Sequence, residues 1–68
     1  MSYRNGEQIE VVIDRQGLDI NEGIGHLSDN TMVVIVGAGN KVGEAVQATV
    51  VNVAMTPLGA SVMAYAKS

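Results

Sequence analysis

Residues 44–55 constrain the fold of this 68-residue chain more than any other segment. The first half of this run places apolar side chains at every second position: Val46, Ala48 and Val50. Such alternation is typical of a β-strand with one buried face. In the second half the phase changes, and the apolar set becomes Val51, Val53 and Met55. A β-bulge inserts one residue into a strand and shifts its phase in this way, so the run predicts a bent strand.

A helix is the alternative for the same run. Five of its residues are β-branched: Val46, Thr49, Val50, Val51 and Val53. Side chains of this kind lose rotamer freedom against the preceding turn of a helix. We therefore favour the bent strand over the helix.

Four other segments carry strand signals, and turn-forming sequences separate them. The predicted strands are residues 7–15, 23–27, 31–36 and 61–67. Turns are predicted at residues 28–30 and 56–59, where Asp, Asn, Pro and Gly supply the required dihedral angles. Five strands with short connections predict an all-β fold, a small five-stranded antiparallel barrel. We expect a single domain over residues 1–68, with residues 1–5 as a flexible lead-in.

Composition excludes several classes of protein. The chain has no cysteine, which rules out a disulfide and a thiolate zinc site. Its longest apolar run, residues 32–36, is far shorter than the roughly 20 residues of a membrane-spanning helix. These features predict a cytoplasmic domain without membrane contact. The net charge of −3 counts against polyanion binding, because nonspecific affinity for nucleic acid comes from Lys and Arg.

The glycine cluster after residues 31–36 permits a different interpretation. Gly37, Gly39 and Gly43 follow an apolar strand, as in the phosphate-binding turn of a dinucleotide-binding fold. Their spacing is one residue longer than the usual motif, and no Asp or Glu follows Glu44 to bind a ribose. A dinucleotide-binding enzyme fragment is therefore the third-ranked interpretation.

Catalytic and metal-binding motifs are absent from the sequence. His26 is the only imidazole, and no second His, no Cys and no paired carboxylate lies at ligand spacing. A side chain at the surface or at the rim of the barrel is the simplest account of His26. We predict no enzymatic activity for this chain alone, no metal and no cofactor.

Several segments in order resemble a TRAM domain, of the kind found at the C-terminus of bacterial PIN-TRAM proteins. They are G-I-G-H-L at residues 23–27, S-D-N-T-M-V-V at 28–34, V-G-E at 42–44 and T-P-L-G at 56–59. The likeness extends over residues 6–67. It implies an OB-like five-stranded barrel that binds RNA, often tRNA or rRNA, as an accessory to a catalytic domain. In PIN-TRAM proteins that preceding domain resembles a metal-dependent ribonuclease.

The likeness carries over to particular positions. Those that match the family pattern are Gly23, Gly25, the barrel residues around Met32, and the turn Asp29-Asn30. Other positions depart from it. Ala60 and Ser61 stand where relatives carry a basic residue, and His26 stands where an aromatic residue is common. Gly39 lies in a loop that often carries charged residues in relatives. Each departure reduces the expected RNA surface.

The resemblance and the basic and aromatic residues together define a predicted RNA-contact surface. Its members are Arg15, His26, Lys41, Tyr65, Lys67 and, in the lead-in, Arg4. Basic side chains would contact phosphates, and flat rings would stack on bases. The alternative is a protein-interaction or dimerisation module without RNA binding, which the negative charge and the high apolar content favour. The sequence leaves the oligomeric state open.

Overall fold

A computed structural model describes residues 3–67 of the chain. They form five strands: β1 (Gln8–Gln16), β2 (Glu22–His26), β3 (Met32–Val36), β4 (Ala45–Thr56) and β5 (Gly59–Ala66). No helix occurs among these residues, and so none that could cross a membrane. The all-β prediction is confirmed, and the predicted strand ends agree with the observed ones to within two residues.

The five strands form one closed barrel in the order β1-β2-β3-β5-β4, with β4 pairing back onto β1. Every neighbouring pair is antiparallel except β3 and β5, which run parallel. The prediction of a wholly antiparallel barrel is therefore wrong. The reason is geometric, because strand direction cannot alternate all the way round a ring with an odd number of strands.

The bent strand is confirmed, since the pairing of β4 with β5 shifts register between Val50 and Asn52. Before the shift, β4 faces the core with the predicted set Val46, Ala48 and Val50. After it, only Val53 packs against the core, whereas Val51 and Met55 are 39% and 79% exposed. The second predicted apolar set is thus largely wrong. Within residues 3–67, this half of β4 has β5 as its only strand neighbour.

Small branched side chains and alanine fill the barrel. The buried apolar residues are Val11, Ile13, Val33, Ile35, Ala38, Val46, Ala48, Val50, Val62 and Ala64. On β2 the two buried positions are glycines, Gly23 and Gly25. A Cβ on Gly25 would lie 2.5 Å from the carbonyl oxygen of Val12. These two glycines of the TRAM-like pattern therefore allow β2 to pack closely against Val12 of β1 and against the loop residue Ala38.

Candidate nucleic-acid interface

A groove on the outer surface follows the start of β4 and the end of β5. Its volume is about 700 Å³, and we call it the β4–β5 groove. The polar and aromatic side chains that line it are Lys41, Glu44, Gln47, Thr49, Tyr65 and Lys67. The groove therefore combines two cations, one carboxylate, two neutral hydrogen-bonding groups and one aromatic ring.

The alternation of β5 determines the position of Tyr65. Ala64 is fully buried, so the next side chain points outward, and Tyr65 is 54% exposed. Thr49 of β4 lies opposite it in the sheet. Beyond β5, the backbone N–H of Lys67 donates a hydrogen bond of 2.9 Å to the carbonyl oxygen of Gln47. This bond continues the pairing past the end of the strand and keeps Lys67 at the groove.

Lys41 reaches the groove from the loop between β3 and β4. The backbone N–H of Lys41 donates to the carbonyl oxygen of Ala38 (3.1 Å), and the N–H of Glu44 donates to that of Lys41 (2.9 Å). The N–H of Gly43 bonds the carbonyl oxygen of Ile13 on β1 (2.8 Å). Since Ala38 is fully buried, the loop is anchored to the barrel on both sides of Lys41.

A second set of hydrogen bonds joins this loop to the one between β1 and β2. The carbonyl oxygen of Asn21 accepts from the N–H groups of Gly37 (2.7 Å) and Gly39 (3.3 Å). The side-chain amide of Gln16 donates to the carbonyl oxygens of Ile20 (3.1 Å) and Gly39 (3.3 Å). A Cβ on Gly39 would overlap the carbonyl oxygen of Ile20. The two loops therefore form one unit that depends on a glycine at their contact.

The ammonium groups of Lys41 and Lys67 give the groove its positive charge. Within residues 3–67 the one ion pair joins His26 to Asp14, so no side-chain carboxylate of these residues forms an ion pair with Lys41 or Lys67. Glu44 adds one negative charge, which leaves the groove a formal charge of +1. This local sign is opposite to the net charge of −3 for the whole chain.

His26 lies on a different surface. Its Nδ1 is 2.8 Å from Oδ2 of Asp14, an exposed pair between β2 and β1. It lines a second groove of about 560 Å³, which the turn after β4 borders and which shares no lining residue with the β4–β5 groove. The prediction that His26 belongs to the same contact surface as the lysines therefore finds no support in this geometry.

Arg15 and Arg4 also lie outside the β4–β5 groove. Arg15 is exposed near the end of β1, opposite Ile24 of β2. Arg4 is exposed in the lead-in, where its backbone N–H donates to Oε1 of Glu7 (3.1 Å). The structure therefore brings together three of the six predicted residues, and these are Lys41, Tyr65 and Lys67.

Sequence reasoning missed Glu44, Gln47 and Thr49 as groove residues. Gln47 and Thr49 did carry a signal, since they are the outward polar positions of the alternating run in β4. The hydroxyl of Thr49 accepts a hydrogen bond of 3.0 Å from the side-chain amide of Gln8 on β1. Their place beside Tyr65 depends on the register of the β4–β5 hairpin, in which Thr49 lies opposite Tyr65, and the alternation of a single strand does not give that register.

The turn Asp29-Asn30 of the TRAM-like pattern has a structural role. Asn30 adopts a left-handed backbone conformation (φ 68°), which asparagine tolerates better than most residues. Asp29 accepts hydrogen bonds from the N–H of Thr31 (3.0 Å) and the hydroxyl of Tyr3 (3.2 Å). Hydrogen bonds from Thr31 lower the pKa of Asp29, whereas partial removal from water and the bond to Asp29 raise the pKa of Tyr3.

Residues 1–2 of the predicted lead-in lie outside the described residues.

Neither a metal centre nor a dinucleotide site is formed by residues 3–67. No group of three or more His, Cys, Asp or Glu side chains among them could hold a metal ion. The glycine cluster leads through turns into β4 and not into a helix. A pyrophosphate site of the Rossmann type needs that helix N-terminus. The dinucleotide-binding interpretation is therefore wrong.

The described residues form a small closed five-stranded β-barrel domain with an open groove on its outer surface. The family model of the TRAM domain matches residues 3–63, and the chain belongs to the TRAM domain family. The resemblance seen in the sequence is thereby confirmed.

One relative of this chain is a much longer protein that also contains a PIN domain. The chain is 36% identical over 62 residues to a protein of Synechocystis sp. described as an uncharacterized PIN and TRAM-domain containing protein. The match covers 91% of this chain but only 17% of that relative. No solved structure matches the chain.

Proposed function

We propose that this chain is an OB-like, RNA-binding accessory domain that holds RNA for a catalytic domain of a larger cytoplasmic protein. TRAM domains generally bind nucleic acids, which supports the proposal at the level of the family. The closed five-stranded barrel supports it at the level of the fold, because OB-folds use this architecture to bind oligonucleotides.

The observation that carries the proposal is the clustering of Tyr65 with Lys41 and Lys67 in the β4–β5 groove. One base stacks on the exposed ring of Tyr65, an interaction worth about 1–3 kcal/mol by alanine substitution. The two ammonium groups contact the phosphates that flank this base. Because the lysines come from different elements, they hold the RNA backbone at two points around the ring.

The ligand is single-stranded, since a base must leave its stack to reach an aromatic side chain. Gln47 and Thr49 line the same groove and offer an amide and a hydroxyl for a base edge or a ribose 2′-hydroxyl. A contact to the 2′-hydroxyl distinguishes RNA from DNA. Exposed loops of structured RNAs of the tRNA or rRNA class are ligands of this kind.

Binding by the isolated chain is weak, because two phosphate contacts must overcome a net charge of −3. Weak binding suits an accessory role, since a short flexible link raises the effective concentration of a second site to the millimolar range. The Synechocystis relative combines a TRAM domain with a PIN domain. We therefore propose a preceding PIN-type ribonuclease domain as the catalytic partner, with a metal site of its own.

Titration of a labelled single-stranded RNA with the 68-residue chain at increasing salt tests this function. We expect the affinity to fall with a log–log slope of about −1.4, because each of two lysine–phosphate contacts contributes about −0.7 on a single strand. A Lys41→Gln and Lys67→Gln double variant is expected to remove this slope.

An Arg4→Gln and Arg15→Gln double variant is the matched control, because it removes the same charge outside the β4–β5 groove. It is expected to keep the slope. Absence of binding by the wild-type chain at low salt, or equal losses in the two double variants, would contradict the proposed function.

A further inference from the structure

The second half of β4 has one unpaired side. The pairing of β1 with β4 ends where Gln8 lies opposite Thr49, and the last backbone hydrogen bonds on that side are those of Val50. Residues 52–56 pair with β5, whereas Val51 is the extra residue at the register shift and has no partner in β5. Within residues 3–67 no strand or backbone group pairs with the other side of residues 51–56. We call residues 51–56 the free edge.

The turn at the tip of the hairpin determines which backbone groups point outward. Residues 57–58 form this turn and place Thr56 opposite Gly59, so the backbone groups of Thr56 face β5. Because these groups alternate between the two sides of a strand, the N–H and C=O groups of Val53 and Met55 point away from β5. Such a row of unpaired groups is a template for another strand.

The free edge lacks the charged side chains that protect many natural edge strands, and its protection is limited to the bulge at its start and to Pro57 just beyond its end. No charged residue occurs between Ala45 and Ala66, whereas every Asp and Glu lies within residues 1–44. Edge strands usually carry lysine, proline or inward-pointing charges that prevent pairing with another chain. Here Met55 is 79% exposed, and Leu58 at the tip is fully exposed. The edge is therefore open to a further strand.

We propose that a second copy of this chain pairs antiparallel along the free edge, about a two-fold axis at Ala54. In this register Val53 of one copy lies opposite Met55 of the other, and each such pair exchanges two hydrogen bonds. Ala54 lies opposite its own counterpart in a non-hydrogen-bonded pair, with the Cα atoms about 4.5 Å apart. A small side chain at this position permits that close approach.

The outward backbone groups of Val53 and Met55 lie symmetrically about Ala54, which suits a second copy as the occupant, and the lack of charge along the edge permits it. A two-fold interface places each residue near its own counterpart, so a charged residue on the axis would meet a like charge. The chain carries a net charge of −3, and the uncharged stretch between Ala45 and Ala66 is where two copies can approach without that repulsion. A contact along one short edge is smaller than the roughly 1,200 Å² of standard interfaces, so the dimer is weak and depends on concentration.

Sedimentation velocity of the chain over a wide range of concentrations tests the proposal, with no RNA present. The wild-type chain is expected to change from monomer to dimer as its concentration rises. Ala54→Lys places two ammonium groups directly opposite each other on the axis, where like charges destabilise strand pairing, and is expected to abolish the dimer. Ala45→Lys makes the same change at an exposed position of β4 that pairs with β1, and is expected to leave the dimer intact.

Met55→Pro tests the backbone hydrogen bonds separately. Proline removes the outward N–H of residue 55 but leaves the bonds to β5 in place, as it does on natural edge strands. We expect loss of the dimer with an amide spectrum that retains the β4–β5 pairing. A wild-type chain that stays monomeric, a dimer that survives both Ala54→Lys and Met55→Pro, or a dimer that needs RNA would overturn the proposal.

Discussion

Replacing Tyr65 with alanine is expected to weaken the binding of single-stranded RNA by about 5-fold to 150-fold. This range corresponds to the loss of one base–aromatic stack, which is worth about 1–3 kcal/mol. Tyr65 is the aromatic ring of the β4–β5 groove, and its half-exposed side chain is not part of the core cluster. The free energy of unfolding is therefore expected to change little. Fluorescence anisotropy at low salt measures the affinity, and urea unfolding measures the stability.

Tyr65→Phe is the matched control for this substitution. It keeps the ring and removes only the hydroxyl, so stacking survives and the affinity should remain close to that of the wild-type chain. If Tyr65→Phe weakens binding as much as Tyr65→Ala, the hydroxyl and not the ring carries the contact. If neither variant changes the affinity, RNA does not occupy this groove.

The Gly39→Ala substitution is expected to cause the largest loss of stability, about 3 kcal/mol, at the upper end of the usual cost of overpacking. The added Cβ would overlap the carbonyl oxygen of Ile20, which belongs to backbone and cannot rotate away. The two loops must then separate, which breaks the hydrogen bonds that Asn21 and Gln16 make to this loop. The midpoint of urea unfolding measures the effect.

Asn40→Ala is the control for the loop, because Asn40 is exposed and immediately follows Gly39. Surface substitutions of this kind usually change stability by less than about 0.5 kcal/mol. Equal stability of Gly39→Ala and Asn40→Ala would show that the two loops do not pack as described. Since the loop also carries Lys41, Gly39→Ala should weaken RNA binding even under conditions where the barrel remains folded.

The bulge in β4 was predictable because a change of phase in hydrophobic alternation is a local signal that one strand carries by itself. A parallel pair was missed, although a ring of five strands requires at least one. That the pair is β3 and β5 follows only from the strand order, which the sequence pattern does not give. The alternation of apolar residues in β4 did not predict that Val51 and Met55 are exposed. Alternation of apolar residues indicates a buried face only where the rest of the barrel covers that face. The free edge extends past the end of β1, so its apolar side chains are not covered in this way.

The candidate site was predictable only in part, because the pattern of one strand does not say which residues of other elements lie next to it. Tyr65 and Lys67 follow from the alternation of β5, but their contact with the same groove as Lys41 requires the closed barrel and the joined loops. Arg15 and His26 were selected by residue type alone, and residue type does not tell which surface of a barrel a side chain occupies. Asp14, which pairs with His26, was not foreseen as its partner.

The most direct test of the central claim is an amide chemical-shift footprint of the isotope-labelled chain with a short single-stranded RNA. RNA binding in the β4–β5 groove predicts the largest changes at Lys41, Gln47, Thr49, Tyr65 and Lys67. It predicts little change at His26 and Leu58, which line the second groove. Changes concentrated around His26 and Leu58, or no change at any RNA concentration, would contradict the claim.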